Sequence, residues 1–399
     1  MTHYFIDTDT PFTHKQTNHH PGVIAMNRTA KTVLLIVLLS SLLLWTPPSA
    51  FASRNSDLHP SQHPPVHSST RTLAVTGGTL LWRFQTPEVV DSSPVVVSGV
   101  VYIGSGNGGV VYALKAHSGT LLWETPTGLY VASKPSVVNG VVYVGAGDGA
   151  VYALKASTGA VLWRYQTSGN SGILSSAEVV NGVVYIGAGN HYVYALKAST
   201  GTLVWRYRTG YEITSSPEVV NGVLYIGGDD DYIYALKAST GTLVWRYQTG
   251  YYVISSPAVV KGVVYVGSLD HYVYAFHAST GTLLWRYQTG ADVYSSPRVV
   301  NGVVYIGSTD YNVYALKAST GTLLWRYKTG YYVFSSPAVV KGVVYVGSVD
   351  HYVYALNAST GTLRWRYQTG SSIWYSSPAV AKGVVYIGSW DHYVYALSA

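Results

Sequence analysis

Tryptophan returns in this chain with a fixed period. Trp82, Trp123, Trp163, Trp205, Trp245, Trp285, Trp325 and Trp365 lie 40 to 42 residues apart, and a VYAL-like segment recurs eight times between Val111 and Leu397. A period of this length marks one supersecondary unit multiplied, so the 399 residues share a continuous core instead of dividing into two or three ordinary domains. In the copy from Gly241 to Gly281, turn signals separate short apolar runs at Ser256 to Val260, Val263 to Ser268 and Val273 to His277, with a fourth from Thr282 to Thr289. These are the lengths of β-strands, denoted A, B, C and D. Lys261-Gly262, and Asn-Gly pairs such as Asn139-Gly140 elsewhere, supply the positive φ that a two-residue hairpin turn needs. Composition agrees: 37 Tyr, 11 Trp and 41 Gly, with only 11% charged residues, describe strands and turns and few helix formers.

Four such strands expose two apolar faces and cannot stand alone. Open stacking would leave the terminal units bare, whereas radial closure covers every blade. The chain ends choose between these. Thr76 to Thr86 is a D strand with no A, B or C before it, and Ser376 to Ala399 supplies A, B and C with no D after them. The expected fold is all-β, an eight-bladed β-propeller of four-stranded antiparallel blades, closed by the N-terminal strand completing the last blade.

Three segments follow. Residues 1 to 52 form an N-terminal extension and signal peptide: the 13-residue apolar run Val33 to Trp45 follows Arg28 and Lys31 and precedes Ala50-Phe51-Ala52, with cleavage expected after Ala52. Translation is expected to start at Met26, which opens a compact basic segment. Residues 53 to 75, rich in Ser, Pro and His, make a disordered tether. Residues 76 to 399 are the propeller. The expected location is secreted, cell-surface or periplasmic, with no stable membrane span after cleavage; an uncleaved N-terminal anchor is the alternative. Cysteine is absent, which excludes disulfides and thiolate chemistry. Of the net charge of +7, +5 falls outside residues 1 to 74 with no basic stripe, so nucleic acid is not an expected partner.

The eleven residues ALKASTGTLLW, Ala315 to Trp325, and their seven near-copies resemble the tryptophan-docking motif of the PQQ-type (pyrroloquinoline quinone) repeat eight-bladed propellers. That family includes quinoprotein dehydrogenases and non-catalytic relatives, among them the outer-membrane barrel-assembly propeller. The resemblance covers Thr76 to Ala399. It implies that the eight recurring tryptophans, Trp82 to Trp365, dock each blade onto its neighbour. The enzymes of the family carry a vicinal Cys pair, a Glu/Asn/Asp calcium site, a catalytic Asp and long insertions between blades. This chain has no Cys, and its inter-blade lengths vary by at most two residues. It resembles the non-catalytic members more, so no catalytic residue, cofactor or metal is expected.

Strand direction alternates, so the D-to-A and B-to-C connections emerge on one face. The first set includes Tyr211-Glu212, Tyr251-Tyr252 and Tyr331-Tyr332; the second includes Asn190-His191, Asp270-His271, Asp350-His351 and Asp391-His392. The opposite face is expected to show plain turns and Ser-Thr-Gly loops. Blade 8 inserts one residue and places Trp374 and Trp390 on the Tyr-rich face. Candidate partner-binding residues are therefore Trp374, Trp390, Tyr331, Tyr332, Tyr251, Tyr252, His351 and His392, since Tyr and Trp give large contact area at low entropic cost. Structural readings compete: the strand-C tyrosines such as Tyr272 pack, the Asp-His pairs form turns, and the Arg of each WRY discourages edge pairing. The expected function is a monomeric, non-catalytic scaffold for a protein ligand; carbohydrate or small-ligand (glycan) binding is the alternative, and a PQQ-dependent dehydrogenase relative the weaker one.

Overall fold

The structure, a computed structural model, describes residues 77–399. The expected start at Met26, the cleavage after Ala52 and the tether lie outside the described residues. The described chain folds into eight four-stranded antiparallel sheets in a closed ring. A representative blade contains Ala258–Val260, Val263–Gly267, Tyr272–His277 and Leu283–Gln288, in that order from the axis outward. Strands B and C are buried on both sides because neighbouring blades cover them, and they read as nearly unbroken apolar runs. Strand D forms the rim, and its exposure alternates. Lys261 (φ 50°) and Gly262 (φ 77°) make the A–B turn, both in the left-handed region that the sequence required there.

Strand A is shorter than the sequence suggested, three residues instead of five. Pro257 has no amide to donate, and Ser255 and Ser256 are engaged elsewhere. The hydroxyl of Ser255 accepts from Gly267 N at 3.0 Å, locking the blade's own A and B strands. Ser256 N donates to Ser296 Oγ of the next blade at 2.9 Å. The same bond links Ser176 to Ser216, Ser216 to Ser256, Ser296 to Ser336, Ser336 to Ser377 and Ser377 to Ser93. These bonds form a belt around the axis, in which Lys134 stands at the one position without a serine; its amide donates to Ser176 Oγ at 2.9 Å.

Farther out, blades join through a shared acceptor. Trp123 Nε1 donates to Ala156 O of the following blade at 2.9 Å, and Tyr102 OH reaches the same carbonyl at 3.2 Å. The pair repeats as Trp245 and Tyr225 on Ala278 O, and as Trp325 and Tyr305 on Ala358 O. Trp82, on the first strand, and Tyr386, in the last blade, converge on Ala116 O and so cross the junction of the chain ends.

Ring closure pairs Leu80–Gln85 with Tyr393–Ser398, with Arg83 opposite Tyr395 and Gln85 opposite Tyr393. Gly78 N donates to Ser398 O and Ser398 N to Thr79 O, both at 2.8 Å. Gly78 (φ 87°) lies flat against Trp365 of the preceding blade; a Cβ there would come within 2.8 Å of the indole, so only glycine completes this junction. Deleting Thr76 to Thr86 therefore exposes the last blade's edge and is expected to abolish the single cooperative melting transition; a deletion variant with an unchanged melt would refute closure. Trp285→Ala, which keeps the ring but empties one junction, is expected to cost about 3–5 kcal/mol in denaturant unfolding.

Candidate functional site

The two sets of connections meet on one face because each bonds to the other. Leu269 N donates to Tyr252 O at 2.9 Å, and Gly250 N donates to Asp270 Oδ2 at 2.7 Å. The repeated aspartate of the B–C turn is thereby used up in structure. Asp270 accepts from Tyr272 N at 3.1 Å and Tyr274 OH at 2.6 Å as well, and Asp350 makes the same three bonds with Tyr352 N, Tyr354 OH and Gly330 N. The residue after it lies in the left-handed region: His271 (φ 73°), His351 (φ 74°) and His392 (φ 70°). His392 Nδ1 lies 3.0 Å from Pro87 O, and His271 Nε2 lies 3.0 Å from Asp292 Oδ1. His271 and His392 thus each lean on a neighbouring connection. Among the described residues no three His, Cys, Asp or Glu are grouped as metal ligands.

The aromatic candidates do come together. Trp374 and Trp390 have ring centroids 5.1 Å apart. Trp374 stacks on Phe334 at 5.2 Å, Phe334 meets Tyr332 at 5.7 Å, and Tyr332 meets Tyr331 at 4.2 Å. Phe334 also meets Tyr294 of the preceding blade at 4.8 Å and Tyr375 at 5.4 Å. Equivalent residues of adjacent blades approach this closely only near the axis of a ring, so the tract forms one wall of the axial mouth. Tyr251 and Tyr252 stack on each other at 4.2 Å as a second cluster, extended by Tyr211. The sequence reading missed Phe334, Tyr294 and Tyr375. The signal was available: one position, two residues before the Ser-Pro or its equivalent in each connection, changes from Thr214 through Ile254 to Tyr294 and Phe334 while its neighbours repeat.

Carboxylates complete the mouth. Trp390 Nε1 donates to Asp91 Oδ1, and Thr214 Oγ1 donates to Asp229 Oδ1 at 2.9 Å. Burial pushes Asp91 up to about 6 against the lowering effect of its indole bond, and burial pushes Asp229 up to about 7. Behind them a crevice of about 240 Å³ opens beside Ser93, Lys134 and Ser377. Farther along the axis the inner strands carry Glu178, Glu218 and Arg298. Glu218 rises to about 7, chiefly through burial and then through the charge of Glu178.

The structure adds to two sequence readings. The arginines of strand D do more than blunt an edge: Arg206, Arg246, Arg286 and Arg366 lie 4.6 to 4.8 Å above the strand-C rings of Tyr192, Tyr232, Tyr272 and Tyr352. In the blade of Arg326, Asn312 stands where those four have tyrosine, as Val110 and Ala150 do in the first two blades. The opposite face carries more than plain turns and Ser-Thr-Gly loops. Its turns carry one exposed lysine in every blade, because residues 40 apart in sequence are gathered onto one side of a ring.

Comparison with known proteins places this architecture. The structure of BamB from Moraxella catarrhalis is similar with a TM-score of 0.71 and 21% identity, covering 81% of this chain and all of that one. The computationally designed Ika8 protein is similar with a TM-score of 0.73 and 19% identity, again over 81% of this chain and all of the other. A europium-containing methanol dehydrogenase is similar at 0.68 and 15% identity, over 80% of this chain and 93% of its own. At these identities the likeness extends to the fold alone. No curated protein sequence matches significantly. The model of the PQQ-repeat family described as outer membrane protein assembly factor BamB matches residues 67–181, 170–267 and 252–389. The match spans most of the propeller, and this chain belongs to that family.

Proposed function

We propose that the protein is a non-catalytic, extracytoplasmic scaffold that binds a protein partner at the axial mouth of its Tyr-rich face. The observation that carries this reading is the continuous aromatic wall from Tyr331 to Trp390, half-open to solvent where the last blade departs from the repeat. Membership of a family described by an assembly factor supports a protein partner and a location outside the cytoplasm. A glycan is the second reading, favoured by the open rings of Tyr211 and Tyr331, 37% and 41% exposed, which offer flat platforms for sugar stacking.

A quinone enzyme fits this mouth poorly. Pyrroloquinoline quinone is itself an acidic, multiply carboxylated ring, and the mouth presents Asp91 and Asp229 to it. Asp91 Oδ1 accepts from Trp390 and Asp229 Oδ1 from Thr214, and among the described residues no three His, Cys, Asp or Glu are grouped to hold a metal ion. No reaction step is assigned to the group.

The double variant Trp374→Ala/Trp390→Ala is expected to remove the partner-induced change in tryptophan fluorescence and to reduce capture in a pull-down at least tenfold, while the eight docking tryptophans continue to report an intact ring. A full response in the double variant places the partner elsewhere, and glycan-array binding without protein capture favours the second reading.

The acids of the mouth set a pH dependence. Their pKa values are raised in the fold, so the stability they contribute is fully present below about 4 and is lost as pH rises through about 6 for Asp91 and about 7 for Asp229. Asp91→Asn and Asp229→Asn keep an acceptor for each partner and remove the titration. Each variant is expected to match the parent near pH 4 and to exceed it above pH 7 by roughly 3–4 kcal/mol, measured by thermal melting across that range.

A further inference from the structure

The face opposite the aromatic mouth is built with a regularity that the mouth lacks. In five blades the lysine ends strand C or closes it, as Lys155, Lys197, Lys237 and Lys317 do, with Lys115 in the first. In the other three blades that place is His277, Asn357 or Ser398, and there the lysine moves to the A–B turn, as Lys261, Lys341 or Lys382. The two turns are neighbours, joined by bonds such as Ala278 N to Gly262 O at 2.8 Å. Repulsion between like charges explains why no blade has two lysines here. It does not explain why no blade has none. All eight are exposed, and no described Asp or Glu lies in an A–B or C–D turn.

Beside this ring runs a second one, of aliphatic side chains. Where strand D begins, the ladder slips by one residue: Leu236 pairs with Leu243 and Ala235 with Trp245, so Val244 is left out as a bulge. The same slip leaves out Leu81, Leu122 and Leu162. Bulges re-aim side chains, and these stand 44% to 52% exposed, with Arg364 in the equivalent place of one blade. Half-exposed Leu and Val repeated around a rim, next to one lysine per blade, form an amphipathic collar. The polypeptide also enters the propeller on this side: Gly78 N bonds Ser398 O, and Ala399 N bonds Gly383 O in the turn that holds Lys382.

We propose that this collar docks the propeller on an anionic lipid surface, lysines against the headgroups and bulge aliphatics at the acyl boundary, with the aromatic mouth facing away. The occupant follows from charge complementarity and from the exposed aliphatics that a soluble polyanion would leave wet. Acidic side chains crowd the other face, so an anionic surface also orients the molecule. The inference does not depend on what binds the mouth.

Flotation of the full chain with phosphatidylcholine vesicles, with and without phosphatidylglycerol, tests this. Binding is expected to rise with the anionic lipid and to fall as salt shortens the screening length below about 10 Å. Replacing Lys155, Lys197, Lys237 and Lys317 by Gln is expected to lower the partition onto anionic vesicles by roughly tenfold or more, and Leu122→Ser with Leu162→Ser to lower it further at high salt. Arg208→Gln with Lys328→Gln removes positive charge from the other side and is expected to leave binding unchanged, while Lys197→Gln with Lys237→Gln lowers it. These side chains are exposed, so melting temperatures serve as the folding check. Equal binding to neutral and anionic vesicles, insensitivity to the lysine set, or tighter binding to duplex DNA than to vesicles would each overturn the proposal.

Discussion

Two donors from one blade, an indole N–H and a tyrosine hydroxyl, converge on a single alanine carbonyl of the next, as Trp123 and Tyr102 do on Ala156. That carbonyl begins the turn after strand C and would otherwise be an orphan acceptor at a buried edge. Satisfying it from the neighbouring blade makes the polar requirement of one unit the packing requirement of another, since the same indole covers the apolar face between them. A single blade can meet neither demand. Stability is therefore a property of the ring, and the junction at Gly78 and Trp365, where the two chain ends share a blade, carries the same chemistry as the others.

Nearer the axis a second set of links tightens the ring. The serine belt ties backbone amides to hydroxyls of the following blade, and it fixes how far each inner strand can extend before its ladder begins. Uniform joints of this kind free other positions to vary. The residue two before each belt position is non-aromatic in five successive blades, Asp91, Ala132, Leu174, Thr214 and Ile254, and aromatic in the other three, Tyr294, Phe334 and Tyr375. A symmetric scaffold thus presents an asymmetric mouth.

The two faces of the disc differ in kind because strand direction divides the turns between them. The B–C turns spend their aspartates on the backbone of the preceding connection and on strand-C tyrosines, which holds the aromatic rim rigid. The A–B and C–D turns need only glycine and a left-handed partner residue. The lysine of each blade takes either that left-handed place, as Lys261, Lys341 and Lys382 do, or the end of strand C, and in both its side chain is left exposed.

Period, strand order and closure were legible in the sequence, because each follows from counting: strands of known length, turns that demand positive φ, and a leftover D strand that fits one vacancy. The position of Trp374 and Trp390 on one face was legible for the same reason, as strand parity decides it. The arginine–tyrosine stacking, the serine belt and the shared carbonyl acceptor were not, since each joins residues whose distance depends on sheet twist and blade spacing. The sequence by itself determined that this chain must close into a ring of eight. Only the tertiary structure decided which residues from different blades meet: the aromatic wall with its desolvated carboxylates, and the collar of lysines and bulge aliphatics. Closure follows from local propensity and repeat number, whereas those surfaces arise from the radius at which the blades happen to pack.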